Sequence, residues 1–297
     1  MLGNEKAFSS LSVKSGGLAL SVMIIIYMVF TVLIQAVFLA LSVTGGIVYT
    51  AVNALAAPLA IAATVFLTKA NTNQKLSFTL NLNKSGVKYY LIAIIFAAGM
   101  FLGFGFVNGL ISSGLEKAGI TQSSISLDFN GVGSLIVYII SFAVIPAVAE
   151  ELFFRGLIQN SLSGLKIWQA VLISSISFAL YHCSLVQLVY QLIYGAALFV
   201  LAYSAKSVFP GILAHFLNNF AVIIFTYLGL SIDFYNILVI ISGLILFAAA
   251  GVWTAQSLRK NREQKEFNQN PLDFLLAGLF GVAICLSLIV ANLFLGA

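Results

Sequence analysis

The chain has 297 residues, of which 61% are hydrophobic and only 8% are charged. Soluble globular domains contain roughly 25% charged residues, so this composition excludes a water-soluble globule, and the high apolar content excludes a disordered chain. The net charge of +5 does not indicate nucleic-acid binding, because the basic residues flank apolar runs, as they do beside membrane spans. The two cysteines are far apart in sequence, so we expect small buried side chains rather than a disulfide scaffold.

The apolar residues form long runs, which predict an all-α polytopic membrane protein. Each span of a bilayer takes ~20 apolar residues, so the composition suffices for about nine spans. Runs of this length argue against a membrane β-barrel, whose strands alternate over ~10 residues. In chain order, the predicted segments are 18–43, 47–67, 88–115, 131–149, 168–182, 186–204, 209–229, 235–254 and 272–295. We therefore expect one membrane domain over residues 1–297, with about eight to nine transmembrane helices.

The basic residues predict the orientation of the chain in the membrane. The first run, 18–43, is too long for the core of a signal peptide, so we expect it to be retained as an anchor. If the N-terminus is cytoplasmic and the segments alternate, only Lys117 among the 14 Lys and Arg residues lies in an outer loop. Basic residues favour the cytoplasmic side of a membrane. We expect a multi-pass protein of a bacterial plasma membrane with a cytoplasmic N-terminus.

Two adjacent glutamates follow the fourth apolar segment, where residues 146–155 read PAVAEELFFR. Ionisable residues within apolar runs are costly unless paired, and they mark functional sites. Glu151 and Arg155 are four residues apart and share a helix face, whereas Glu150 points about 100° away and has no local partner. Pro146 lies one turn earlier, where it frees a carbonyl and can bend the helix. Alternatively, both glutamates mark a helix end at the membrane surface, although the apolar residues around Arg155 argue against this.

The chain has only two histidines, and both lie within apolar segments. His182 ends the fifth segment, four residues after Phe178. His215 and Asn219 are four residues apart in the seventh segment and face the same way, whereas Asn218 points elsewhere. A single buried histidine is often a hydrogen-bonded core residue. Two histidines in membrane segments of one chain favour a shared functional site.

These residue types are suited to hydrolysis without a serine or cysteine nucleophile. A carboxylate and imidazoles can activate water as a general base, and an amide or imidazole can donate to a developing oxyanion. Alternatively, Glu150, His182 and His215 could bind zinc, since two histidines and a glutamate form a known catalytic ligand set. The sequence lacks H-E-x-x-H, G-x-S-G and G-x-G-D, and it has no Walker-type or dinucleotide glycine motif. Both the zinc-dependent and the metal-independent mechanisms stay open.

Three motifs in order, E-E-x-x-x-R at 150–155, F-x-x-x-H at 178–182 and H-x-x-x-N at 215–219, carry a resemblance to a known family. The chain resembles the CPBP family of CAAX proteases and bacteriocin-processing enzymes, also called the Abi family. This family includes the type II CAAX prenyl endopeptidases. The resemblance covers residues 131–229, and it implies a helical catalytic core whose site is sunk in the bilayer and opens toward the cytoplasm.

The resemblance also implies roles for the motif residues. Glu150 and His182 would activate the attacking water, and His215 and Asn219 would support the oxyanion or complete a metal site. Structural support would come from Glu151, Arg155 and Phe178, with Arg155 holding Glu151. These roles require comparable depths in the membrane: His182 would lie ~21 Å along its helix, so the fourth segment must continue as a helix to about residue 162.

The expected activity is therefore that of an intramembrane endopeptidase acting on a peptide or membrane-anchored substrate. By resemblance, a role in bacteriocin processing, self-immunity or peptide maturation is expected. The expected partners are this substrate, the lipid bilayer and possible further membrane proteins, but no nucleic acid. Two alternatives belong to other classes. One is a non-catalytic membrane scaffold or regulator. The other is a transporter, which is disfavoured because no matching interrupted helices are seen.

Overall fold

The computed structural model describes residues 11–72, 75–120, 127–260 and 268–295. Within these ranges the regular secondary structure is entirely helical. The helices are α1 (Val13–Ala40), α2 (Ile47–Ala70), α3 (Leu76–Thr79), α4 (Val87–Lys117), α5 (Val132–Gly164), α6 (Ile167–Tyr181), α7 (Leu185–Ala205), α8 (Phe209–Tyr227), α9 (Ile237–Lys260) and α10 (Pro271–Leu295). Among the basic residues used above to orient the chain, Lys6, Arg262 and Lys265 lie outside the described residues.

Each of the nine predicted apolar segments corresponds to one helix of this bundle. In the described parts of the chain, 8 helices are long and apolar enough to cross a membrane. The ninth, α6, has 15 residues and is about 22 Å long, so it is shorter than a typical span. The prediction of an all-α polytopic membrane protein is confirmed.

The hydropathy pattern placed the end of the fourth segment at 149, and this end is wrong. Helix α5 continues to Gly164, which confirms the expectation that the site requires a helix to about residue 162, and it carries both glutamates and Arg155 inside the bundle. The apolar residues after Glu151 explain the difference, because Phe153 and Phe154 are fully buried in the core. Arg155 is likewise fully buried, so it is a helix residue rather than a residue of a cytoplasmic loop.

The remaining helices support two apolar clusters. Helix α1 packs against α10, and α4 packs against α9 at a glycine contact where Gly103 and Gly243 leave no room for a Cβ atom. The α1–α10 pair contacts α5 and α6, and the first cluster includes Phe178 and Tyr181. The α4–α9 pair contacts α7, and the second cluster includes Tyr194. Phe178 of the first cluster and Tyr194 of the second both lie beside the ring of His215, with ring centroids 5.9 Å and 6.0 Å away.

Candidate active site

Three helices bring the predicted site residues together. Helix α5 carries the two glutamates and the arginine, the end of α6 carries Phe178 and His182, and α8 carries His215 and Asn219. The charged groups are deeply buried: Glu151 and Arg155 are 0% exposed, Glu150 is 7% exposed and His215 is 4% exposed. Since buried charges are stable only when paired, the contacts of each group indicate its role.

Glu151 lies at the centre of a cluster of paired charges. Its Oε1 atom is 3.0 Å from Arg155 Nη1 and also 3.0 Å from His215 Nδ1. Arg155 Nη2 donates to the carbonyl of Gly195 at 3.3 Å, and the guanidinium lies 4.3 Å from the centre of the Phe178 ring. The contact between Glu151 and Arg155 links successive turns of α5, and the contact with His215 ties this helix to α8.

A glycine in α8 makes the close approach to Glu151 possible. A Cβ atom at Gly211 would lie 2.8 Å from Glu151 Oε2, which is closer than carbon and oxygen atoms pack. Gly211 lies one turn before His215 on the same helix. Its missing side chain therefore lets α8 approach α5 closely enough for the histidine to reach the carboxylate.

Glu150 has a different environment from its neighbour. Its Oε2 atom lies 3.9 Å from His182 Nε2 and 3.9 Å from His215 Nε2. These separations are longer than a hydrogen bond. Among the described residues, no protein group donates a hydrogen bond to Oε2. The carboxylate oxygen and the two ring nitrogens therefore face a common point without contacting one another.

The hydrogen bonds of the opposite nitrogens show which nitrogen of each ring carries the proton when that ring is neutral. His182 Nδ1 is 2.8 Å from the carbonyl oxygen of Phe178, and His215 Nδ1 is 3.0 Å from Glu151 Oε1. Carbonyl and carboxylate oxygens only accept, so each Nδ1 carries the proton and donates it. In a neutral ring, Nε2 is then a bare acceptor. Such a set of acceptors suits a water molecule or a cation between them.

The donor set also bears on the zinc prediction. Carboxylate oxygen and imidazole nitrogen are both zinc ligands, and the chemistry of Glu150, His182 and His215 fits such an ion. Ligands around tetrahedral zinc lie about 3.3 Å apart, which is closer than the 3.9 Å separations seen here. In the described ranges, no group of three His, Cys, Asp or Glu side chains already has metal-ligand spacing.

Asn219 contacts α5 at the position where Pro146 interrupts its hydrogen bonding. Proline lacks an N–H group, so the carbonyl of Phe142, one turn earlier, loses its usual helical donor. The side-chain amide of Asn219 donates to this carbonyl at 3.1 Å. The helix also widens into π-helical turns over Ile139–Val144 and again over Leu152–Ile158, on either side of the glutamates. Such turns are frequent at functional sites.

His182 lies at a hairpin between α6 and α7. It follows the last residue of α6, and Cys183 then reverses the chain with a positive φ of 49°. His182 has 17% of its side chain exposed, compared with 5% for His215. Along the helices, His182 is about 22 Å from the start of α6 and Glu150 about 21 Å from the end of α5, so their depths match.

Two tyrosines of the site were not identified from the sequence. The Tyr181 hydroxyl donates to Glu150 Oε1 at 3.5 Å. The ring of Tyr194 lies 6.0 Å from the His215 ring, and its buried hydroxyl has no hydrogen-bond partner among the described residues. Tyrosine counts as apolar in a hydropathy analysis, which explains the omission. The position of Tyr181 directly before His182 was the available signal. Asn218 points away from Glu150, as expected, and accepts from Tyr190 at 2.6 Å.

Comparison with known families identifies the segment that carries this site. The family model described as type II CAAX prenyl endopeptidase Rce1-like matches residues 132–221. This range runs from the start of α5 into α8 and includes every predicted site residue. No curated protein and no solved structure matches the chain. Through residues 132–221, the chain is related to the CAAX-protease (CPBP) family, a family of membrane-embedded peptidases.

Proposed function

We propose that this protein is an intramembrane endopeptidase that hydrolyses a peptide bond with a water molecule activated by Glu150 and His182. One observation carries the proposal. The unpaired Oε2 atom of Glu150 lies 3.9 Å from the Nε2 atom of each of two histidines inside an apolar bundle. No structural need accounts for this arrangement, because Glu151 and Arg155 already pair with each other.

The charges of the cluster support an acid–base role. Two carboxylates and one guanidinium leave one negative charge in excess, and a net charge in an apolar interior is costly. A single proton shared among Glu150 Oε2 and the two Nε2 atoms removes the excess. We propose that this proton resides on His215 Nε2, opposite the Nδ1 atom that donates to Glu151. His215 is then an imidazolium that can donate to an oxyanion.

The proposed reaction follows from these positions. Water between Glu150 Oε2 and His182 Nε2 gives a proton to the carboxylate, and its oxygen bonds to the scissile carbonyl carbon. The negative charge on the carbonyl oxygen is stabilised by His215 Nε2–H. Asn219, whose amide retains a second N–H, lies one turn further along the same helix and would assist. The C–N bond then breaks, and the leaving nitrogen takes the proton from Glu150.

Zinc is an alternative form of the same proposal. Glu150, His182 and His215 would hold the ion, which would supply a Lewis acid that lowers the pKa of a bound water. The same residues serve in both forms, so activity measurements on variants cannot distinguish them. Elemental analysis of the purified protein can. Zinc that is bound to wild type and lost in His182→Ala supports the metal form. Full activity of a protein that contains no zinc after treatment with a chelator supports the metal-free form.

The cellular setting and substrate class complete the proposal. The protein is a multi-pass membrane protein, and we propose that it lies in a bacterial plasma membrane with its N-terminus in the cytoplasm. Its substrate would be a peptide or membrane-anchored protein, in bacteriocin processing, self-immunity or the maturation of another peptide. A membrane-protein partner could present this substrate.

The test compares wild type with Glu150→Gln in detergent. A library of membrane-tethered peptides is incubated with each protein, and products are identified by mass spectrometry. Loss of the general base is expected to reduce cleavage by at least about 100-fold. Glu116→Gln is the matched control, because Glu116 is an exposed residue near the end of α4. Equal cleavage by wild type and Glu150→Gln would contradict the proposal.

A further inference from the structure

The two oxygens of the Glu150 carboxylate have different neighbours. Oε1 accepts a hydrogen bond from the Tyr181 hydroxyl at 3.5 Å, whereas Oε2 faces the two histidine Nε2 atoms and has no donor among the described residues. The terminal torsion of a glutamate is broad and roughly two-fold, so the side chain alone does not fix this orientation. A donor on one oxygen determines which oxygen faces the histidines.

The Tyr181 ring is held firmly enough to serve as that donor. The residue is only 5% exposed. Its ring centroid lies 5.5 Å from that of Phe154 on α5, 5.2 Å from that of His182 and 6.1 Å from that of Tyr27 on α1. With neighbours from three directions, the ring has little freedom, and its hydroxyl occupies a defined position. Tyr27 also brings a helix outside the family-matched range into contact with the site.

We infer that Tyr181 is a positioning residue that directs Glu150 Oε2 toward the attacking water by binding Oε1. This inference rests on the proposed function, in which Oε2 is the proton acceptor. Because the hydroxyl stays on Oε1, it leaves Oε2 free to take the proton from water and later return it to the leaving nitrogen. Tyr181 itself exchanges no proton with the substrate.

Tyr181→Phe tests this inference because it keeps the ring and removes only the hydroxyl. The substrate is the most rapidly cleaved peptide of the membrane-tethered library. We expect kcat to fall about tenfold, the value of a long hydrogen bond to a charged group, while KM is unchanged. A ring that served only to pack the core would leave kcat unchanged, since phenylalanine preserves the packing.

Tyr138→Phe is the matched control. Tyr138 is also a buried tyrosine, 1% exposed, and its hydroxyl donates to the carbonyl of Asp128 at 3.4 Å. It lies on the same helix as Glu150, 12 residues earlier, or about 18 Å along the axis. The control therefore loses a comparable hydrogen bond outside the site, and we expect its kcat to equal that of wild type.

Glu150→Gln, measured in the same assay, separates failure of this inference from failure of the proposed function. An inactive Glu150→Gln together with a wild-type kcat for Tyr181→Phe would overturn the role of Tyr181 alone. An equal loss of kcat in Tyr181→Phe and Tyr138→Phe would also overturn it. Wild-type activity in Glu150→Gln would instead overturn the proposed function on which the inference rests.

Discussion

The two adjacent glutamates of α5 occupy contrasting environments. Glu151 is fully buried, and its Oε1 atom contacts both an arginine and a histidine at 3.0 Å. Each carboxylate has one oxygen without a hydrogen-bond partner among the described residues. That of Glu150 faces two ring nitrogens at 3.9 Å, whereas that of Glu151 faces the backbone at Gly211. A step of one residue along a helix turns the side chain by about 100°, which is enough to separate these environments. The comparison teaches that one carboxylate joins helices together, while its neighbour is left available for chemistry.

The largest expected effect is on stability and concerns the cluster of Glu151, Arg155 and His215. Arg155→Ala leaves Glu151 buried beside His215 without its guanidinium, so we expect a loss of about 3–5 kcal/mol in stability. The measurement is thermal unfolding in detergent, together with the yield of folded protein. Lys88→Ala, at a partly buried surface contact with Ser257, is a control in which a cation is removed outside the cluster. An unchanged unfolding temperature for Arg155→Ala would show that the cluster does not hold the bundle together.

The next effect is on peptide cleavage and concerns the surroundings of Glu150. His182→Ala removes one of the two nitrogens that face Glu150 but leaves the Glu151 cluster intact. We expect cleavage to fall by about 100-fold while membrane insertion and the unfolding temperature are retained. The measurement is peptide cleavage alongside thermal unfolding of the same sample. The distinction between the two glutamates would be contradicted if His182→Ala greatly lowered the unfolding temperature and lost cleavage only in proportion to the folded protein that remains.

A smaller effect is expected at Gly211, the glycine that lets α8 approach Glu151. In Gly211→Ala, the new methyl group would lie 2.8 Å from Glu151 Oε2, so either the Glu151 side chain must leave its position in the cluster or the helices must shift. We expect a loss of about 1–3 kcal/mol in stability, measured by thermal unfolding. Gly133→Ala is the matched control, because a Cβ atom there meets nothing within 4 Å. Equal unfolding temperatures for the two variants would show that the approach of α8 is not tightly set.

The smallest effect is expected at the contact between α8 and the interrupted turn of α5. Asn219→Ala removes the donor to the carbonyl of Phe142, and we expect a loss of about 1 kcal/mol in stability. The same variant also removes a proposed oxyanion donor. Thermal unfolding and cleavage rate, measured together, separate these contributions. A stability loss without any change in kcat would assign Asn219 to the helix contact alone.

Much of this architecture could be predicted from the sequence. Long apolar runs predicted the helices, and the four-residue spacing predicted that Glu151 and Arg155 share a face, as the 3.0 Å contact shows. The end of α5 could not be predicted from hydropathy, because a hydropathy pattern cannot distinguish a buried, paired arginine from one in a loop. It followed only from the requirement that Glu150 and His182 lie at the same depth. The contact of Tyr181 with Glu150 was missed for a related reason, since its hydroxyl reaches a residue 31 positions away in sequence on another helix.

The contact between Asn219 and Phe142 shows a further limit. The sequence predicted that Pro146 frees a carbonyl on α5, but the group that satisfies this carbonyl lies 77 residues away in sequence on α8. Only the packing of the two helices reveals it. The zinc ion and the catalytic roles of the site residues are predictions that the experiments above test, and the membrane orientation stays a prediction.

The most direct test of the central claim compares the two neighbouring glutamates in one experiment. Glu150→Gln and Glu151→Gln are purified in parallel, and each is measured for peptide cleavage and for thermal unfolding. We predict that Glu150→Gln unfolds like wild type but loses at least about 100-fold in cleavage, whereas Glu151→Gln unfolds at a clearly lower temperature. Wild-type cleavage by Glu150→Gln, or unfolding temperatures that do not differ between the two variants, would contradict the division of roles between these side chains.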